Sequence, residues 1–170
     1  MQFLTSRSRN RHLAFSLFLF ALAPRDAFAD EEHNISLTIS LPHLVLTIGE
    51  LTGEVKLPVN LSVAAIAAYG RFTGLSIWEV GAQGRYYLLG DFDHGMSLGV
   101  EALYMSVGGW EDSFFGSEAS GGVFVGPFIG YKIATDLGFT FDSALGIQYV
   151  TGTGQAMAFP LINANIGWSF

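Results

Sequence analysis

Charged side chains stand at alternate positions in otherwise uncharged stretches of the chain. Arg85 and Glu101 flank one short polar segment, GDFDHG, and Lys132 and Asp142 flank another, ATDLG. Opposite charges on facing strands of a sheet attract each other, and a buried charge without a partner costs several kcal/mol. The spacing therefore predicts ion pairs inside the fold. The predicted lumen ion-pair network consists of Glu54, Lys56, Glu79, Arg85, Glu101, Lys132 and Asp142.

This predicted layer of charges has three interpretations. All but Glu79 lie within about six residues of a short turn, so three acids and three bases share one level and cancel. If the fold is a barrel of eight strands, its interior is just wide enough for side chains to fill it. The favoured interpretation is a structural layer that closes the lumen. The alternatives are a gated, narrow ion path and a catalytic carboxylate site.

Motifs for enzymatic chemistry are scarce. His33, His43 and His94 lack the i, i+4 spacing of metal-binding helices and have no carboxylate at motif distance. The glycine-rich pieces GGV and GTG are not followed by a helix, which argues against phosphate binding. We predict surface or turn positions for these histidines. We predict no catalytic, cofactor-binding or metal-binding residues, no cofactor and no enzymatic activity.

The elements that position these charges are strands, because polar and apolar residues alternate. In GFTFDSALGIQYV, one face carries Phe139, Phe141, Leu145, Ile147 and Tyr149, and the other carries small or polar residues. The same period of two recurs in SIWEVGAQGRYYLL, MSLGVEALYMSV, GGVFVGPFIGYKIA, NISLTIS and the closing NANIGWSF.

The first 29 residues have the composition of an export signal. Arg7, Arg9 and Arg11 precede the apolar stretch 13–23, and Ala27-Phe28-Ala29 fits the cleavage rule. We predict a signal peptide over 1–29 and an outer-membrane β-barrel domain over 30–170. Cleavage takes four of the eight Lys and Arg residues and one of the fifteen Asp and Glu residues, which leaves a net charge of −10. The remaining chain has no basic patch for nucleic acid and no cysteine for disulfides.

The apolar faces of the strands indicate a membrane. Half of the chain is hydrophobic, yet the longest apolar run after the signal is VAAIAAY. A chain without a membrane helix spans a bilayer only as a closed barrel. The polar faces are mostly Gly, Ser, Thr, Asn and Gln, as in a narrow lumen. We predict an all-β fold, an eight-stranded antiparallel up-and-down transmembrane β-barrel. The alternative is a secreted soluble sandwich or a lipocalin-like barrel.

Turn sequences give the strand count. Segments 57–60, 90–95 and 134–138 are short, as periplasmic turns are, and 70–74, 108–121 and 151–157 are the exterior loops. Six strands follow Leu61, so 35–57 supplies two more. The apolar parity shifts near Gly49, which we attribute to a turn or a bulge at IGELTG. In the second alternative, Pro42 marks the break between the first two strands.

Aromatic residues form two predicted groups. Rings at both ends of the strands are typical of the belts at membrane interfaces. Trp110, Phe114 and Phe115 lie in the longest loop and are a candidate contact surface for lipopolysaccharide or a protein, or a loop folded on its own aromatics. The predicted belts contain Tyr69, Trp78, Tyr86, Tyr104, Tyr131, Phe139 and Tyr149.

The stretches GRYYLLGDFDHGMSLGVEALY, GPFIGYKIATDLGFTFDSALGIQY and NANIGWSF carry a resemblance. The chain resembles small outer-membrane β-barrel proteins of Gram-negative bacteria, of the OmpA transmembrane-domain and OmpX type. The resemblance implies location in the outer membrane after export. It also implies contact with lipid and lipopolysaccharide, and a C-terminal signal read by the barrel-assembly machinery. That signal would be Ala164, Ile166, Trp168 and Phe170.

Three functions follow from this resemblance. The first is a non-enzymatic, porin-like or anchor-like barrel, expected to be a monomer, with a structural or surface-interaction role. The second is a narrow channel for ions or small solutes. The third is a lipid-modifying enzyme, although the chain lacks the His-x-Ser stretch of outer-membrane lipid A deacylases.

Overall fold

The protein forms a closed barrel of eight antiparallel strands in up-and-down order, as the alternation predicts. The computed structural model describes residues 32–72, 74–109, 120–151 and 157–170. The predicted signal peptide and the loop aromatics Trp110, Phe114 and Phe115 lie outside the described residues. The elements are β1 Ile35–Ser40, α1 Leu41–Val45, β2 Ile48–Leu57, β3 Leu61–Phe72, β4 Leu75–Gly90, β5 His94–Gly109, β6 Ser120–Ala134, β7 Phe139–Thr151 and β8 Met157–Ser169.

The two ends of the barrel differ in their connections. Turns 58–60, 91–93 and 135–138 lie at one end together with Asn34 and Phe170, and we name it the short-turn end. The opposite end, which carries α1 and the connections after β3, β5 and β7, is named the long-loop end. In the part of the chain that the structure describes, no helix is long and apolar enough to cross a membrane.

The last strand closes the barrel against the first. The register runs from Ser36 opposite Ser169 to Ser40 opposite Asn165. At the short-turn end the Phe170 N–H donates to the Ile35 carbonyl at 2.8 Å. Because the terminal strands pair, their backbone groups at the short-turn end are not left as an open sheet edge.

The break between β1 and β2 lies at Pro42, and the predicted turn or bulge at IGELTG is wrong. Strand β2 pairs with β3 from Ile48 to Leu57 without a shift in register. The parity changes because Leu44 and Leu46 belong to α1 and its end, while Ile48 faces the lumen with 4% of its surface exposed. Within β2, the odd-numbered apolar residues such as Leu51 and Val55 therefore face outward, and the parity does not change along the strand.

The wall is incomplete on one side at the long-loop end. Strand β1 ends at Ser40, opposite Asn165, whereas β8 continues to Met157 and pairs there with β7. Helix α1 contacts both β2 and β8 and so lies beside this unpaired part of β8. Pro160 lies in this unpaired part of β8. Because no strand pairs with β8 on that side, the lack of a backbone N–H at Pro160 breaks no hydrogen bond to β1.

The polarity of the two faces is opposite to that of a water-soluble barrel. The outer face exposes large apolar residues, among them Leu145 at 61% and Ile162 at 62%. The interior holds charged side chains, among them Arg85 at 2% and Lys132 at 1% exposure. Strand alternation thus sends the polar residues inward, where they must find partners in one another.

Candidate functional site

Four charged residues are buried together in the barrel interior near the short-turn end. Arg85 Nη1 and Nη2 donate to the two carboxylate oxygens of Asp142, both at 2.8 Å. Lys132 Nζ donates to Glu54 Oε2 at 2.8 Å. Arg85 Nε lies 3.8 Å from Glu54 Oε1, which joins the two pairs into one network. We name Glu54, Arg85, Lys132 and Asp142 the ion-pair plug. Its formal charge is zero.

Neutral groups complete the plug. The hydroxyls of Ser62 and Tyr87 both donate to Glu54 Oε1, Tyr87 at 3.0 Å. Lys132 Nζ lies 3.3 Å from the centre of the Phe92 ring, and a cation over an aromatic face is attracted to it. Each charge therefore has at least one partner of opposite charge, as a buried charge requires.

Phe128 forms the boundary between the plug and the upper lumen. Its ring centre lies 5.3 Å from the Arg85 guanidinium and it packs with Ala144 and Leu161. Gly99 makes room for this ring, because a Cβ at that position would lie 2.2 Å from it.

The remaining residues of the predicted ion-pair network lie elsewhere. Glu101 pairs in register with Gln83, not with Arg85, whose register partner is Gly99. The carboxylate of Glu101 accepts hydrogen bonds from Gln83 and Gln148. The predicted Arg85–Glu101 pair is thus corrected to Arg85–Asp142. The sequence-based pairing was offset by two residues along the β4–β5 hairpin.

Lys56 and Glu79 also lie outside the plug. Lys56 is half-buried at the mouth of the short-turn end, where its Nζ lies 3.4 Å from Glu32 Oε2. Lys132 and Asp142 are register partners on β6 and β7, as predicted, but each forms its ion pair with a different residue. The alternation of residues along a strand predicts which face carries each charge. The residue with which that charge pairs depends also on side-chain length and on the curvature of the barrel.

A cavity of about 530 Å³ occupies the lumen toward the long-loop end. Leu46, Pro160 and Ile162, which lie beside the incomplete part of the wall, are among its lining residues. Leu103, Met105 and Phe124 supply apolar lining on the opposite side. The polar groups that line it are His43, Glu50, Glu79, Glu101, Gln148 and Asn163.

His43 contacts two carboxylates in this cavity. Its Nδ1 lies 2.9 Å from Glu50 Oε2, and its Nε2 lies 3.8 Å from Glu79 Oε2. Helix α1 begins directly after β1 and directs the imidazole inward, whereas the sequence predicted a surface or turn position. Glu50 and Glu79 are brought close because β2 and β4 both flank β3, where Ala68 is the register partner of each.

Sequence reasoning missed this His43–Glu50–Glu79 cluster. Its members are separated by 7 and 29 positions and form no motif. The available signals were the inward parity of Glu79 and the break at Pro42, which places His43 three residues after inward-facing Ser40.

The hydroxyl beside His43 is not arranged as an activated nucleophile. Ser40 Oγ lies 2.9 Å from His43 Nδ1 but also donates to Asn163 Oδ1 at 3.1 Å. A nucleophile–histidine–carboxylate relay needs the hydroxyl on one ring nitrogen and the carboxylate on the other. Here Glu50 and Ser40 face the same nitrogen, so Nδ1–H is held by a carboxylate and does not accept the Ser40 proton. The arrangement suits binding better than acyl transfer.

The comparisons with known proteins identify no relative. No family model, no curated protein and no solved structure matches the chain. Function must therefore be inferred from the geometry of the barrel itself.

The predicted aromatic belts lie on the outer face. Tyr69 pairs in register with Trp78, whose ring centre is 5.2 Å from that of Tyr104, all toward the long-loop end. Tyr86 and Phe139 are exposed toward the other end. Tyr149 lies toward the long-loop end, and Tyr131, half-buried, donates to or accepts from His94 Nε2 at 2.7 Å.

The predicted assembly signal occupies the outer face of the closing strand. Trp168 is 45% exposed and Phe170, directly after β8, is 62% exposed; Ala164 and Ile166 lie on the same face of β8 as Trp168. Trp168 pairs with Leu37 of β1 and with Phe139 of β7. The rings of Trp168 and Phe170 at this seam are accessible from outside the barrel.

Proposed function

We propose that the chain is an integral outer-membrane β-barrel of a Gram-negative bacterium, with a non-enzymatic structural or surface-interaction role and a lumen closed by the ion-pair plug. The observation that supports it is the polarity of the two faces: charged groups are buried inside, and the outer face is apolar, with Arg71 at its long-loop edge. Such a face is stable against hydrocarbon and unstable against water. Its surroundings are then outer-membrane lipid and lipopolysaccharide.

The proposal includes export, assembly and oligomeric state. Residues 1–29 direct export, and the assembly machinery engages Trp168 and Phe170 on β8. The barrel acts as a monomer with lipid around its outer face, and the acidic chain has no basic patch for nucleic acid. The bidentate Arg85–Asp142 pair and the Lys132–Glu54 pair supply a barrier to ions, which favours a closed barrel over the narrow channel.

Planar-bilayer recording on refolded protein tests the closed lumen. The wild type is expected to give no steady conductance. A charge-balanced variant that replaces Glu54, Arg85, Lys132 and Asp142 by alanine is expected to conduct, because it removes all four side chains of the plug and leaves none of their charges buried without a partner. Steady conductance from the wild type would support the channel alternative. If neither protein conducts although both are verified to be inserted, another layer of side chains closes the lumen.

A further inference from the structure

A cation-binding cluster lies above the ion-pair plug. His43, Glu50 and Glu79 each direct one ligand atom to within 4.8 Å of the others. They come from α1, β2 and β4, so three elements of the barrel converge on one point of the cavity wall. We propose that these three residues bind a divalent cation of the zinc class in the upper lumen.

The balance of charge around the cavity favours a cation. Three carboxylates, of Glu50, Glu79 and Glu101, line the cavity, and no lysine or arginine is among its described lining residues. The two bases of the plug are each paired with an acid of the plug. Glu101 is satisfied by the amides of Gln83 and Gln148. Glu50 and Glu79, which contact His43, are two acidic groups that no lysine or arginine of the described lining offsets.

Glu50 provides a second, independent indication of a ligand. Its side chain is 4% exposed, and its Oε2 faces His43. Its Oε1 is buried, and no described residue donates a hydrogen bond to it. Buried carboxylate oxygens normally have a partner, and an ion is one of the groups that supply it. A divalent cation would satisfy this oxygen and offset the charge at the same time.

The donor set selects the class of cation. Zinc binds imidazole nitrogen and carboxylate oxygen at about 2.0–2.2 Å, which places ligand atoms of a tetrahedral site roughly 3.3–3.6 Å apart. Nε2 of His43 and Oε2 of Glu79 lie 3.8 Å apart, close to that distance. Calcium takes six to eight oxygens and magnesium retains its waters, whereas imidazole favours zinc and its transition-metal neighbours. The contact of Ser40 with Nδ1 holds the ring so that Nε2 faces Glu79.

The coordination that remains is open to the cavity. Three protein ligands leave a fourth position, which is the pattern of binding or reactive zinc sites and differs from closed structural ones. The apolar lining from Leu103, Met105 and Phe124 excludes competing charged groups from that side. This site does not depend on what surrounds the barrel, so its test and that of membrane insertion give separate results.

Zinc titration of the full chain, refolded in detergent and stripped with a chelator, tests the proposal. Competition with a chromophoric zinc chelator is expected to show one tight equivalent of Zn²⁺. Ligand variants His43→Ala, Glu50→Gln and Glu79→Gln are each expected to weaken binding at least tenfold. His33→Ala, His94→Ala and Glu101→Gln are the matched controls and are expected to change it less than threefold. Bound Co²⁺ is expected to give the intense visible absorption of a four-coordinate site.

Folding is monitored separately so that each outcome is informative. Glu50→Gln and Glu79→Gln keep the side-chain shape, and each variant is compared with the wild type by its strand circular dichroism and by its unboiled gel mobility. Loss of binding in a folded ligand variant supports the site. Absence of a tight equivalent in the wild type would overturn it. So would binding that survives in the ligand variants or that depends on His33 or His94.

Discussion

Replacing Arg85 by alanine is expected to lower the free energy of unfolding by about 3–5 kcal/mol, because removal of one member of a buried ion pair leaves the other charge without a partner. Arg85 is 2% exposed and supplies both hydrogen bonds to the carboxylate of Asp142. It also lies 3.8 Å from Glu54. Two carboxylates would then share Lys132 alone. Urea unfolding of the refolded barrel in detergent, followed by tryptophan fluorescence, measures the loss.

Lys56 is the matched control for this prediction. It is also a base in an ion pair, with Glu32, but it is half-buried at the mouth of the barrel and Glu32 is exposed. An exposed pair contributes about 0–1 kcal/mol, so Lys56→Ala is expected to have a small effect. The double variant Arg85→Leu/Asp142→Leu removes both charges and should recover most of the stability. Equal losses for Arg85→Ala and Lys56→Ala would show that the plug is not a buried network.

Much of the barrel was accessible from the sequence because strand alternation has a period of exactly two residues. Tyr149 and Leu145 face outward and Asp142 inward by the same count along β7. Eight strands, their turns and the closing pair β1–β8 follow from that count and from the need to remove sheet edges. The parity shift near Gly49 predicts a turn or bulge only if Leu44 and Leu46 are strand residues, whereas they belong to α1 and its end.

The partners of the interior charges were less accessible. A period of two gives the face of Arg85 but not which of the seven other strands its guanidinium reaches. Asp142 lies three strands away on β7, 57 residues later in the chain. The cluster of His43, Glu50 and Glu79 was missed because it depends on α1 turning inward after Pro42, a local event without a sequence period.

Replacing outward-facing Leu145 by arginine is expected to destabilise the bilayer-inserted barrel by about 2–4 kcal/mol, the cost of an arginine near the middle of the membrane. Leu145 lies near the centre of β7 and exposes 61% of its surface. In a water-soluble barrel, an arginine at so exposed a position would have little effect. Equilibrium urea unfolding from lipid vesicles measures the difference.

Leu137 supplies the control for Leu145. It is also a leucine and is 82% exposed, but it lies in the turn 135–138 and outside the apolar wall. Near an interface the cost of arginine falls to about 0–1 kcal/mol, so Leu137→Arg is expected to be nearly neutral. If both variants were equally stable in vesicles, the outer face of β7 would not lie against hydrocarbon.

Quenching of tryptophan fluorescence by brominated acyl chains tests the lipid-facing wall most directly. The chain has three tryptophans, and a Trp110→Phe variant leaves Trp78 and Trp168, which lie on the outer face toward opposite ends of the barrel. Vesicles of brominated lipid are expected to quench both strongly relative to the same vesicles without bromine. Unquenched emission from a folded protein that stays in solution without detergent would contradict a membrane-spanning barrel.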